Sequence, residues 1–600
     1  MSLSPNRHKR TETNIEKKIL RTTFITHENN LQALNSGQAK ASPSNSQLWQ
    51  SNSSDSFSSS QYLSPHISAI KGMENFWFAI QQEESSESIS NEISEFPSYY
   101  DIILNANPGD TINLPAEKII MKEILIAKPI TIKGTAGSVL EIQNGSITID
   151  FGQNHYSQSR ATLCEINIIY TVTPAKIEQT ETKQPFGLFI INGNNTTLEV
   201  RDCQIKSNNS IRESNEFWIE IEDVCFWVNG NGYKKKYSPE LVRFKSILYV
   251  KSCNISHFHE ALIGGVNSSV VIEKSHISNI RGSGVKMINP RELNIHQAKF
   301  TKCAGYGVDL RIVPFAHGHS GQSSHSTSTD SFLIQQMRSI SIHMTTFKSC
   351  GDNSIHIWGE IAVNFPGRIT VTQCKITNCK REGLSVQHIC VSDLQIIDNE
   401  FKENQKTGIW IQKVRKTDKE SLIILNGNIS AGSSAGYGVY FYDTSITMNK
   451  CECSGNALGG AMIVARKDFD GKSIEFKECR IFKNEKNGVS IFEFYRGKIK
   501  MKDTQVFENS MSGICVFPEV KLEILQAELY LKRCYVGRNK QFGVMAYQVA
   551  CNLVGTIMEE NTIGPLLIDK NVKKPAKRKR EKLAHKIPER KVCKGNCGIL

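Results

Sequence analysis

The chain of 600 residues holds seventeen cysteines but no pair at the C-x-x-C spacing, so neither a zinc site nor a disulfide framework is legible in it. Reduced thiols in an intracellular compartment are the expected state. No run of eighteen apolar residues occurs, which excludes a membrane-spanning helix as the organising element. The start, MSLSPNRHKRTETNIEKK, has basic residues but no apolar stretch behind them, so secretion is not expected. The sequons at Asn195-Thr196-Thr197 and Asn254-Ile255-Ser256 point the other way, but an Asn- and Ser-rich chain generates them by chance. Hydrophobic residues make up only 39% of the chain, low for a compact globule, so extended polar segments are expected. The net charge of +13 is concentrated near the C-terminus, with a smaller knot at Lys234, Lys235 and Lys236. The body between is closer to neutral, and no nucleic-acid groove is expected along it.

Composition divides the chain into three. Residues 1–95 are polar and biased around SPSNSQLWQSNSSDSFSSSQYLSP, a composition that buries too little apolar surface to offset ordering entropy, so disorder is expected there. One patch within it, MENFWFAIQQ at 73–82, reads as a docking helix or a cap on the next domain. Residues 96–569 carry a repeat. Residues 570–600 form a polybasic tail.

The repeat answers the question of fold. The stretches KECRIFKNEKNGVSIF, KDTQVFENSMSGICVF and KRCYVGRNKQFGVMAY, starting at Lys477, Lys502 and Lys532, follow one pattern, and further copies start at Glu273, His296, Thr372 and Ile397. In each, an apolar residue precedes by seven a small one: Ile277 and Gly284, Phe401 and Gly408, Ile481 and Gly488, Val506 and Gly513. The small residue opens a strand of alternating character, as in Val489 and Ile491 or Ile514 and Val516. Between them recur Asn404, Asn456, Asn484, Asn509 and Asn539, placed to stack as an amide ladder. Another column holds Cys203, Cys253, Cys374, Cys479 and Cys534, which read as small buried hydrophobes. Coil lengths of about 22 to 30 residues fall in the solenoid range. Leucine-rich frames and propeller blades do not fit, leaving an all-β, right-handed parallel β-helix with a glycine corner that needs either positive φ or close backbone approach.

The stretch Asn105 to Phe151, with Gly109-Asp110-Thr111-Ile112, Leu114-Pro115 and Ile130-Thr131-Ile132-Lys133-Gly134, resembles the opening coil of pectin-lyase-like β-helices. More narrowly it is similar to the intracellular ones, the Shc-binding, spindle-associated and the F-box-linked β-helix proteins. That resemblance implies a protein-binding role. No F-box precedes Ser98, so a ubiquitin-ligase receptor role is not implied.

Polysaccharide cleavage on such a fold needs converging carboxylates. The outward column of the repeats reads Lys286, Asp309, His356, Ser385, Trp410, Tyr440, Met462, Ser490, Cys515 and Met545, with a single carboxylate. His317, His319 and His325 lie in a Ser-rich insertion without a carboxylate or thiol cluster, and Glu220, Glu222 and Asp223 read as a solvated face. The expectation is therefore a non-catalytic scaffold with no metal or cofactor, binding a protein partner through Trp358, Trp410, Tyr440 and Tyr442. The alternative is a carbohydrate-binding or carbohydrate-active β-helix. At the end, Cys597-Gly598-Ile599-Leu600 fits C-a-a-X with a geranylgeranyl chain on Cys597. Lys573, Lys574, Lys577, Arg578, Lys579, Arg580 and Lys582 could add attraction to an anionic membrane surface. The expected location is cytoplasmic and membrane-associated, with a nuclear address as the other reading of the same basic run.

Overall fold

The computed structural model describes residues 98–568 apart from 153–159, 173–185, 194, 210–221, 229–244, 314–337, 418–421, 466–472, 495, 518–525 and 548. Segment 73–82, the histidines of the 314–337 insertion, Glu220, Lys234 to Lys236 and the whole tail from 570 lie outside the described residues.

Each coil contributes three short strands separated by tight corners. One coil runs through Ser473–Lys477 on a first face, Arg480–Phe482 on a second and Val489–Phe492 on a third. The next coil stacks on it in parallel and in register, pairing Lys477 with Lys502, Ile481 with Val506 and Ile491 with Val516. The second face alone holds fifteen strands, which at strand spacing gives a rod of roughly 70 Å. A short helix, Tyr99–Asn105, opens the fold, and its N-cap Ser98 Oγ accepts from Asp101 N at 3.2 Å.

Inward residues are apolar because every strand presents one face to the lumen. Phe300, Phe347, Phe401, Ile481 and Val506 are all fully buried. The corners between the first and second faces need a single residue with positive φ, and Asp202, Lys274, Gln373, Glu478, Asp503 and Arg533 supply it. The glycine column does something else. Gly488 and Gly513 do not have positive φ; a Cβ on Gly488 would meet Val506 Cγ1 at 2.5 Å and Gly513 O at 2.7 Å. Close approach is therefore the reason for these glycines.

The amide ladder is continuous over the last coils. Asn456 Nδ2 donates to Asn484 Oδ1 at 3.0 Å, Asn484 to Asn509 at 2.9 Å and Asn509 to Asn539 at 3.0 Å. Each amide also donates to a backbone carbonyl of the preceding coil, as Asn509 Nδ2 does to Ile481 O at 3.3 Å. The cysteine column is buried, with thiols donating to carbonyls, such as Cys479 Sγ to Lys477 O at 3.3 Å.

Asp223 departs from expectation. It is 0% exposed, not on a solvated face. Its carboxylate accepts from Ser207 Oγ, from Asn209 Nδ2 at 2.8 Å, from His259 N at 2.7 Å and from Arg281 Nη2 at 2.6 Å. The strand Asp223–Val228 is buried on both sides, so alternation does not mark an outer face there. Glu222, one residue earlier, is exposed.

Candidate functional site

Register along the third face places Lys286, Asp309, His356, Ser385, Trp410, Tyr440 and Met462 in one outward column. At its centre the His356 ring lies with Nδ1 2.9 Å from Asp309 Oδ1. Asp309 is buried, whereas the His356 side chain is 17% exposed. A carboxylate only accepts, so Nδ1 is the nitrogen that donates to Asp309, and Nε2 is the ring nitrogen turned away from it.

Other groups converge on this pair. The Tyr306 ring stacks on His356 at 5.1 Å and 14°, fixing the imidazole plane from one side. Burial, then the neighbouring Asp352 and Asp309, push the Tyr306 hydroxyl up to about 12, so it remains a donor. Arg311 Nε stands 3.6 Å from Asp309 Oδ2. One coil earlier, Lys286 Nζ lies 3.7 Å from Glu260 Oε1, and Glu260 accepts from Ser283 N at 2.6 Å. Burial raises the Glu260 carboxyl above its ordinary value, against the opposing pull of Lys286, and Asp309 adds to the rise. Glu260 is thus a second carboxyl in a neighbourhood that the outward column alone credits with one. Its signal is hidden because Glu260 opens its strand, outside the outward column that Ile263 shares with Lys286.

The four aromatic candidates are all half-buried. Trp410 and Tyr440 meet at 5.4 Å with a 59° tilt, and Tyr437 joins Tyr440 at 6.1 Å and 51°. Trp358 and Tyr442 occupy the next outward column, with Gln387 and Gln412 between them. Further along that column Phe492 and Phe517 stack at 5.2 Å and 25°, and Phe517 and Tyr547 at 6.2 Å and 19°. Near-parallel rings cover one another's faces and act as a ladder, whereas Trp410 and Tyr440 meet edge to face. Trp410 Nε1 is buried and lacks a hydrogen-bond partner among the described residues.

Among the described residues no group of three or more His, Cys, Asp or Glu side chains is placed to hold a metal, and no helix is long and apolar enough to cross a membrane.

The family described as right handed beta helix region matches the chain over residues 320–470, 361–522 and 396–563. No curated protein matches it in sequence. Solved structures similar to it include the periplasmic alginate epimerase AlgG, at 11% identity and TM-score 0.30, covering 73% of this chain and 78% of that one. A second is the Azotobacter vinelandii mannuronan C-5 epimerase AlgE4 A-module, at 10% identity and TM-score 0.28, covering 70% and 91%. A third is the catalytic domain of a GH87 alpha-1,3-glucanase, at 10% identity and TM-score 0.26, covering 78% and 62%. The expectation of a chain without catalytic function is corrected here, because the single-carboxylate premise behind it does not survive the placement of Glu260 beside Lys286 and within electrostatic reach of Asp309. The architecture itself stands as read from the repeats: the described strands from Thr111–Asn113 to Gly564–Ile568 form a right-handed parallel β-helix.

Proposed function

We propose that the third face is a carbohydrate-active surface on which a glycan lies along the rod. The observation that carries this reading is one column that holds both an Asp309–His356 acid–base pair and, two and three coils further on, the half-buried, tilted Trp410–Tyr440 pair. Two to three coils are about 10 to 14 Å, the reach of a short run of sugar units. Trp410 and Tyr440 stack on sugar rings. His356 Nε2 takes a proton from the sugar, while Asp309 holds the ring and stabilises the imidazolium that results. Lys286 and Arg311 supply positive charge for an oxygen that becomes negative as the proton leaves. Glu260, whose carboxyl burial raises above its ordinary value, is the candidate donor of a returning proton.

The test is incubation of the full chain with neutral and uronate polysaccharides, followed by proton NMR of the anomeric signals. The wild type alters at least one polymer and His356→Ala does not, although its melting temperature is retained. No change with any polymer by the wild type, or equal change by His356→Ala, overturns the proposal.

A further inference from the structure

Charged side chains on neighbouring coils of this fold pair with opposite sign. Lys251 faces Glu273 at 3.7 Å, Lys375 faces Glu400 at 3.6 Å, Arg480 faces Glu452 at 3.2 Å and Lys498 faces Glu528 at 3.0 Å, each across one coil step and in register. Like charges directly opposite one another on neighbouring strands are destabilising. Two places depart from this: Arg201 pairs in register with Lys251, which Glu273 answers on its other side, and one longer run has no acid opposite it. Lys477, Lys502 and Lys532 stand in register at the edge of the first face on three successive coils.

Local acids do not cancel this ladder. Lys477 has Glu475 at 3.3 Å, but Asp503 is held by Arg533 through two contacts at 2.6 and 2.7 Å, which leaves Lys502 a looser approach of 3.8 Å. Lys532 makes no ion pair among the described residues. The column two residues back holds Glu475, Lys500 and Tyr530 in register. On the last coil Lys532 pairs in register with Val554, which is 43% exposed, and Ile557 just beyond is 56% exposed. A basic ridge thus runs into an exposed apolar tip. The sequence after the last strand, Gly564–Ile568, continues in the same sense, with twelve lysines and arginines against two glutamates between 570 and 594.

We infer that this ridge and tip form a docking surface for an anionic lipid bilayer. Lysines track the headgroups, Tyr530 lies at the interfacial level, and Val554 with Ile557 enter the boundary of the acyl region. The apolar tip is what favours a bilayer over a nucleic acid, whose phosphates offer nothing for exposed Val and Ile to bury against. The repulsion stored in the lysine ladder is relieved when headgroups bind. Nothing in this inference depends on the chemistry of the third face.

The experiment is co-sedimentation of the full chain with phosphatidylcholine vesicles, with and without phosphatidylserine, near physiological salt. Lys502→Glu restores the alternation of sign seen elsewhere, so its melting temperature equals or exceeds that of the wild type. Its partitioning onto phosphatidylserine vesicles falls by about tenfold or more, as expected for reversing one basic contact. Ile557→Asp lowers partitioning as well. A merely structural ladder would move stability and leave vesicle binding alone. The inference is overturned if wild-type chain does not bind phosphatidylserine vesicles, or if Lys502→Glu binds them as the wild type does. It is equally overturned if these variants lose affinity for a DNA duplex while vesicle binding stays at the wild-type level.

Discussion

His356 Nδ1 and Asp309 Oδ1 lie 2.9 Å apart across adjacent coils, so the orientation of the imidazole depends on the stacking of the rod itself. Asp309→Asn keeps the shape but offers an amide that can donate to Nδ1 and select the other tautomer, which turns Nε2 from base to donor. Sugar-modifying activity is expected to fall by about 100-fold or more, with melting temperature within a few degrees of wild type. Circular dichroism melts alongside the NMR assay check both parts.

Glu260 gives a pH dependence with a definite sign. Its carboxyl is raised above the ordinary 4.5, chiefly by burial, so the folded state prefers the proton. The associated stability is present in full below 4.5 and is lost as pH rises through the raised value. Glu260→Gln removes that loss. Its melting temperature should gain on the wild type as pH rises from 4.5 through the raised value and then hold level, and a difference that is the same below 4.5 as at neutral pH contradicts the assignment.

The corner at Gly488 has no room for a side chain, with Val506 Cγ1 and Gly513 O both within 2.7 Å of where a Cβ would sit. Gly488→Val should cost about 3 kcal/mol or more through overpacking. Substitution of the exposed Lys540 should change stability by less than about 0.5 kcal/mol. Urea denaturation of the two variants provides the comparison.

In the middle of the amide ladder, Asn509 serves the backbone N–H and the side chain of Asn484 and itself donates to Asn539. Asn509→Ala strands those buried partners and should cost about 1 to 3 kcal/mol. Asn561, at the end of the ladder and half-buried, should cost less when replaced by Ala, because water can reach its neighbours. Equal losses would mean the ladder does not act as a chain.

Much of the rod is legible in sequence because a lumen imposes the same choice on every coil. Ile481, Val506 and Val536 recur since each fills the same inward site, and Gly488 and Gly513 since each meets the next coil's backbone. What repeats is readable; what happens once is not. Glu260 opens its strand outside the outward column, with its carboxyl beside Lys286, and Asp223 begins a strand buried on both sides, so alternation overlooks the first and misplaces the second. A second amide pair, Asn399 donating to Asn428 at 2.9 Å, escapes notice because Cys374 and Cys451 occupy the neighbouring rungs. The tilt that distinguishes Trp410 and Tyr440 from the ladder of Phe492 and Phe517 is a side-chain angle with no one-dimensional signature.

Steady-state kinetics of Trp410→Ala and His356→Ala on the polysaccharide that the wild type modifies test the central claim most directly. The account predicts a split: Trp410→Ala raises KM by about tenfold with kcat largely kept, as one lost stacking contact would. His356→Ala removes kcat by about 100-fold or more while KM stays near wild type. If both variants retain wild-type kcat and KM, the column from Asp309 to Tyr440 is not the working surface, and the proposed function falls.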